Sequence, residues 1–397
     1  MLKKIKPDNL DVLSASLEKK EALPIYNSII NSISGSVFYK DTKHIDIENN
    51  RYLYCIYDFP SYLKGVITNK NWKLKSINTY KGSLILLKNY KNADDYLKNK
   101  FSPNRRSKFK TYKRRLETCF NIEYISYYGS ITKDKYDYLF EEFHIMIKKR
   151  FLEKEAKNYD LSRWEIYHEI AYSLINNKEA VLFVIYNNDK PISICLNLIR
   201  NKTIYGYIRS YDIDYSKFYI GFTDFIQQIH WCYNNGIQIF DLLKGNYPYK
   251  TKLIDSQYDF QKHVLYNSSS LLTFLSAKII IYKTLAFYDL VRFLKKFNIN
   301  ILYHKILKYR HKNSESKKTK EHLKSIVITN NVKIESYPKL TKIDSNNKSL
   351  SYLKRPLYNF LYTSQESINT VEIFSINDSL DTYLIKGKNL TQQIHFQ

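Results

Sequence analysis

Cysteine, glycine and proline are all scarce in this 397-residue chain, at 4, 9 and 8 residues. The cysteines, Cys55, Cys119, Cys195 and Cys232, form no CxxC pair. That excludes a disulfide-stapled scaffold and a zinc ribbon, and it predicts a reducing compartment. No HxH or HExxH string occurs, and His144 and His168 fall on different predicted helices, so no metal is expected. GxSxG and P-loop strings are missing too, which removes the hydrolase and kinase readings. Acidic residues are few, 38 against 63 Lys and Arg, and the net charge is +25. Such a surface attracts phosphate, whether on nucleic acid, a cofactor or a membrane. The chain is also crowded with Lys, Asn, Ile and 38 Tyr, residues that share AT-rich codons, so local clustering of charge is a better guide than its total.

Long apolar runs are lacking as well. Met1 to Asn9 starts basic, but polar residues follow where a secretory leader has its apolar stretch. No charge-free run approaches the ~18–20 residues of a membrane helix. The nearest, 271–294, is interrupted by Lys278, Lys283, Asp289 and Arg292. These features predict a cytoplasmic protein.

What is present reads as α+β. Residues 51–59, 71–78 and 83–88 are strand-like, and 93–118 is helical with a break at Ser102-Pro103. The densest basic cluster follows that break: Arg105, Arg106, Lys108, Lys110, Lys113, Arg114 and Arg115. Helices are expected over 133–151, with Tyr136, Leu139, Phe140, Phe143 and Ile147 on one face, and over 161–176, where Ser162 and Glu165 have capping-box spacing. Then the period changes. Residues 180–186, 192–200 and 203–209 read as three consecutive strands, 222–234 as a helix ended by Asn235-Gly236, and 237–242 as a short buried strand. A strand at 260–266 and an amphipathic basic helix over 271–297 follow. Residues 312–320 are a polar linker, and the tail from 324 is weakly alternating, with a hairpin candidate at 325–336 turning at Asn330-Asn331.

The informative stretch runs from Ile208 to Lys250. It holds Tyr211-Asp212, Tyr215, Gly221, a helix, Gly236, and then Phe240-Asp241, Gly245 and Tyr249-Lys250. This order resembles the BioF2-like branch of the GNAT-superfamily acyltransferases (acyl-CoA N-acyltransferase fold, related to FemABX). Phe143-His144, Arg150 and the basic helix near Arg105 also look like that family. The likeness covers residues 95–255, with a weaker likeness before it. It implies an α+β GNAT-like fold in two related halves. Residues 1–95 would be a degenerate N-terminal half and 96–268 the acyltransferase domain. Basic helices at 269–311, a linker at 312–323 and a small β-rich tail at 324–397 would complete the chain.

A single-glycine loop between a strand and a helix presents backbone N–H groups to pyrophosphate, so Tyr219, Ile220, Gly221, Phe222 and Thr223 are the expected cofactor-binding residues. The alternative is that Gly221 only permits a tight turn. The resemblance implies catalytic roles for three residues. Asp241 would accept the amine proton, Tyr249 would protonate the leaving thiolate, and Lys250 would neutralise phosphate or oxyanion. Each has a plain counterpart: a turn-holding acceptor, a packed ring and a solvated lysine. Arg209, Tyr211 and Asp212 are assigned to acceptor recognition, with Arg150 and Trp164 as further candidates.

The expected reaction moves an acyl group, acetyl or longer, from acyl-CoA to an amine on a small molecule or glycan. An amino sugar in envelope or exopolysaccharide assembly would fit. An aminoacyl-tRNA donor, as in FemABX-like transferases, and a non-enzymatic nucleic-acid-binding role are the competing readings. The helical periodicity of 271–309 leaves two options open. Its apolar face packs on the domain or on a second copy, or it lies in an anionic interface at the inner membrane face.

Overall fold

The computed structural model describes residues 6–21, 23, 25–41, 53–154, 160–245, 250–297, 326–332, 334, 337, 339–344, 348–379 and 381–397. In chain order the strands are β1 (Asp8–Asp11), β2 (Ser28–Asn31), β3 (Val37–Lys40), β4 (Leu53–Pro60), β5 (Leu63–Val66) and β6 (Trp72–Ile85). Helices α1 (Ala93–Lys100) and α2 (Pro103–Cys119) lead to β7 (Ile122–Tyr127). Next come α3 (Lys133–Glu153), α4 (Trp164–Asn176), β8 (Ala180–Asn187), β9 (Lys190–Arg200) and β10 (Thr203–Tyr211). The domain closes with α5 (Ile220–Asn234), β11 (Ile239–Lys244) and β12 (Ser256–Asn267), and α6 (Leu271–Lys296) follows. The tail holds β13 (Ile326–Asn330), β14 (Leu340–Ile343), α7 (Lys354–Ser364), β15 (Glu372–Ile376), β16 (Thr382–Lys386) and β17 (Thr391–Phe396).

One mixed sheet of nine strands organises the molecule, in the order β1-β4-β12-β6-β11-β10-β9-β8-β7. Its central strands are apolar on both faces because helices cover both. Leu182 and Val184 of β8 point to α3 and α4, meeting Phe140, Phe143 and Leu174. Val181 and Phe183 point the other way, to Phe109 of α2 and Phe225 and Ile229 of α5. Each such buried side chain contributes ~1.5–3 kcal/mol relative to exposure. The α+β class, the large mixed sheet and the β-rich tail are as the sequence leads one to expect. β10 pairs in parallel with β11, in the register Thr203↔Ile239, Ile204↔Phe240 and Tyr205↔Asp241.

Several local expectations are corrected. Residues 71–78 and 83–88 are not two strands: one strand, β6, covers 72–85 between β12 and β11, and Leu87–Asn89 form a 3-10 turn after it. Pairing of Lys81, Gly82 and Ser83 with Asp259, Tyr258 and Gln257 overrides the polar break. Ser162 does not cap α4: residues 160–163 form a 3-10 turn, and Arg163 occupies the cap position without a side-chain bond. β13 does not fold back at Asn330-Asn331 on a following strand but pairs with β17, at the edge of a five-stranded antiparallel sheet ordered β13-β17-β16-β15-β14. The expected segments 299–309 and 312–320 lie outside the described residues.

α6 is long and apolar enough to cross a membrane by length and composition. Thr273, Ala277 and Ile281 seat it on the sheet, against Leu53 and Cys55 of β4, Ile77 of β6 and Val264 of β12. The apolar residues at helical spacing, Leu271, Leu275, Ile279, Tyr282, Ala286, Leu290, Phe293 and Phe297, are not the packed face; all are exposed.

The tail is not a loose appendage. Leu357, Tyr358 and Leu361 of α7, with Tyr383, Ile385 and Ile394 of the small sheet, share one core with Leu116, Cys119, Phe120, Ile185, Tyr215 and Phe218. Leu361 is fully buried there, and its carbonyl accepts the Cys119 thiol at 3.3 Å. Leu361→Ala should therefore cost ~2–5 kcal/mol. Chemical denaturation followed by tryptophan fluorescence should show the main domain (all three tryptophans lie there) destabilised in a single transition. An unchanged main-domain midpoint would mean that the tail is energetically independent.

Candidate active site

Asp241 lies in the interior of the sheet, in β11, with 0% exposure. Its carboxylate accepts the Tyr62 hydroxyl at 2.7 Å, the Tyr258 hydroxyl at 2.8 and 2.9 Å, and the Leu243 backbone N–H at 2.8 Å. That last bond closes a kink: Leu243 has φ +54°, where a leucine rarely sits, and the β11–β6 register shifts between Asp241 and Lys244. Burial pushes the Asp241 carboxyl up to about 6 from 3.8, and the Tyr62, Tyr258 and Leu243 donors restrain the rise. Burial and the facing Asp241 carboxylate hold both phenols well above their usual range.

Beyond Tyr205↔Asp241, no further β10–β11 pairing occurs among the described residues, although β10 runs on to Tyr211 and β11 to Lys244. The two parallel strands therefore part into a wedge. The buried Lys250 side chain secures one lip, its Nζ donating to the carbonyls of Leu242 at 2.7 Å and Lys244 at 2.9 Å. Burial lowers that ammonium to about 8, opposed by Asp241 and helped by Arg209. Tyr249 lies outside the described residues.

Over the wedge stands the N-terminus of α5. Tyr219, with φ +51°, is its cap residue, and no side chain caps the first turn, which also carries no acid. The tight turn therefore falls on Tyr219. Gly221 belongs to the first helical turn, where an added Cβ would meet Arg209 Nη2 at 3.4 Å and the Tyr211 ring at 3.6 Å. Ile220 and Thr223 are buried. Tyr219 stacks on Tyr112 of α2 at 4.3 Å, and Phe222 stacks on Phe109 at 5.0 Å. The Arg105 guanidinium caps that second stack, 5.5 Å from the Phe222 ring. The basic helix α2 thus lies beside a helix N-terminus that no side chain caps, an arrangement suited to a phosphate-bearing ligand.

Arg209 joins this group, donating to the Gly221 carbonyl at 2.8 Å and to Asp224 at 3.3 Å. Asp224 also accepts from Gln228 at 2.9 Å, and Gln228 accepts from Asn197 at 2.9 Å. The Arg150 guanidinium sits 4.8 Å from the Tyr211 ring, and Arg150 donates to the Arg209 carbonyl at 3.4 Å. Asp212 is turned to Lys149, at 3.2 Å, and accepts the Asp214 backbone N–H. Trp164 is set apart from all of these. It is core, packed on Phe140 and Phe143 and stacked on His144 at 5.1 Å.

Two groups of residues carry no sequence signal for the site. Tyr62 and Tyr258 are two of 38 tyrosines, 179 and 17 residues from Asp241. Asp224 and Gln228 have helical i, i+4 spacing, which marks a pair but not its partner Arg209.

Residues 103–251 match the family described as an acetyltransferase (GNAT) domain. That stretch has a GNAT-type acyltransferase fold. No curated protein matches it. Among solved structures, a conserved protein of unknown function from Bacteroides thetaiotaomicron VPI-5482 is 13% identical, with a TM-score of 0.37 over 58% of this chain and 77% of that one. FemX is 11% identical, with a TM-score of 0.39 over 57% and 74% of the two chains. The C-terminal domain of a putative lysylphosphatidylglycerol synthetase from Agrobacterium fabrum is 9% identical, with a TM-score of 0.35 over 58% and 73%.

Gly82 leaves room for the Tyr258 ring, whose hydroxyl donates to Asp241. An added Cβ there would overlap the Tyr258 ring, so Gly82→Ala should push that phenol off Asp241. Loss of a donor to a buried carboxylate predicts ~1–3 kcal/mol of destabilisation in urea unfolding. A second expectation concerns pH. Between 3.8 and about 6, folded Asp241 holds a proton that the unfolded chain has released. Its contribution therefore makes stability fall as pH rises through that window. Asp241→Asn should remove this part of the slope when unfolding free energies are compared at the two ends of the window. An unchanged slope would mean that Asp241 titrates normally.

Proposed function

We propose that the protein is an N-acyltransferase that moves an acyl group, acetyl in the simplest case, from acyl-CoA to an amine. An amino sugar of an envelope or exopolysaccharide glycan is an acceptor of the right chemistry. One observation carries the reading: the β10–β11 wedge opens beneath an uncapped helix N-terminus flanked by Arg105. In this reading residues 96–268 are the working unit, with Tyr62 lent by the N-terminal part. The CoA phosphates lie at the α5 N-terminus, along Tyr219, Ile220, Gly221, Phe222 and Thr223, and the thioester lies in the wedge. The amine attacks the thioester carbonyl, a C–N bond forms, and the C–S bond breaks.

The amine proton then has a route to Asp241. A Tyr62 or Tyr258 hydroxyl takes it while giving its own proton to the carboxylate, which has to be ionised beforehand. Tyr249 protonates the departing thiolate. Lys250 fixes the lip of the wedge and adds positive charge near the oxyanion. Arg209, Tyr211, Asp212 and Arg150 border the acceptor side. Trp164, packed in the core, supports α3 and α4 rather than touching the acceptor. Proximity and fixed donors supply most of the rate in such a design.

A second reading draws on the outer face of α2, where Arg105, Lys108, Lys110 and Arg114 are exposed beside the same helix terminus. An RNA backbone would fit there, which favours an aminoacyl-tRNA donor in place of CoA. Thermal unfolding separates the two. A donor at 100 times its dissociation constant adds ~2.7 kcal/mol. Acetyl-CoA should raise the melting temperature and bulk tRNA should not; the opposite pattern would overturn the CoA assignment. With the right donor, kcat/KM should rise with pH through about 6, as Asp241 ionises, and Asp241→Asn should lose that limb. If the variant keeps full turnover across pH, Asp241 takes no proton.

A further inference from the structure

We infer that α6 is a membrane-surface helix: its outward stripe lies in the interface of a bilayer bearing anionic lipid. This rests on the outside of the molecule and stands whatever the donor proves to be.

The stripe is formed by Leu271, Leu275, Ile279, Tyr282, Leu290 and Phe293. Leu271 is 71% exposed and Tyr282 66%, values unlike those of a helix that has found its core. At about 100° per residue, these six positions fall within an arc of about 100°. The opposite side, through Thr273, Ala277 and Ile281, is the one seated on the sheet. The apolar stripe therefore points straight away from the protein.

Charge identifies the occupant. By the same angular arithmetic, Lys278 and Lys296 lie about 70° to one side of the stripe's centre and Lys283 about 70° to the other. Lysines along both edges of an apolar stripe hold their ammonium groups at headgroup level while the stripe enters the acyl boundary. Asp289, the acid in the helix, is neutralised by Arg292 at 2.7 Å. The sequence that follows, 298–325, adds eight Lys or Arg against two Glu. A second copy of a chain carrying +25 would bring the same basic edges together, which opposes pairing through this face. A spanning helix would have to leave the sheet, giving up the packing of Ala277 and Ile281 and the bond from Lys262 to Thr284 at 3.3 Å.

The test is co-sedimentation of the full chain with vesicles of phosphatidylcholine alone and of phosphatidylcholine mixed with phosphatidylglycerol. The chain should pellet with the mixed vesicles, and rising salt should release it. Lys278→Glu with Lys283→Glu should weaken partitioning by about tenfold or more. Leu275→Glu with Phe293→Glu should abolish it while leaving the melting temperature unchanged, because both side chains are exposed. Binding that ignores phosphatidylglycerol or survives the stripe variant overturns the inference, as does no binding at all. Two other outcomes also overturn it. One is a lipid-free dimer that the stripe variant dissolves, which assigns the face to a second copy. The other is release only by detergent, which assigns a spanning helix.

Discussion

A single buried carboxylate holds three parts of the chain in register. Asp241 accepts from Tyr62 after β4, from Tyr258 on β12 and from the Leu243 backbone in its own strand. An ionised group at that depth is costly unless its lone pairs are filled, and here three donors fill them. The bond to Leu243 also keeps β11 kinked and thereby parts it from β10. Without that constraint the two strands could pair along their length and the wedge would close. One interaction thus links the N-terminal strands to residues 103–251 and sets β11 apart from β10.

The positive charge is handled locally. Cations on α2 rest on rings: Arg105 lies by Phe109 and Phe222, Arg115 by Tyr362, and Lys113 by Tyr124. An abundance of tyrosine and lysine becomes structural in this way, since an aromatic face attracts a guanidinium or ammonium without burying it. Arg115 on Tyr362, beside the Cys119–Leu361 contact, also ties α2 to α7. The tail therefore braces the helix that packs beside the α5 N-terminus.

The GNAT core was legible because its signals are local. Strand–loop–helix–strand order from Thr203 to Lys244 is written in contiguous periodicities, and the β10–β11 pairing follows from the right-handed crossover that joins them. Non-local pairing was not legible. β6 carries a polar middle that reads as a turn, yet it is held straight by neighbours drawn from residues 239–267. Tyr62 looks like any other tyrosine until the sheet brings it to Asp241. Gly221 suggested a loop, but the left-handed residue is Tyr219, held by its stack on Tyr112. The helical periodicity of α6 is plain in the sequence, but a hydrophobic stripe does not say which side meets protein. There Thr273, Ala277 and Ile281 face the sheet, the two smaller ones allowing close approach, while Leu271, Tyr282, Leu290 and Phe293 face outward.

The interleaving of the sheet also sets a schedule for the ribosome. β4 is flanked by β1 and β12, and its residue Ile56 pairs with His263, 207 residues later (263 − 56). At ~5–20 residues per second, that partner emerges ~10–40 s after β4 itself. Throughout this interval one edge of β4, with Leu53, Cys55 and Ile56, has no strand to pair with, and Tyr62 has no Asp241 to donate to. The nascent chain must wait with an apolar strand edge open, a condition that holdase chaperones relieve and that crowding by neighbouring nascent chains aggravates.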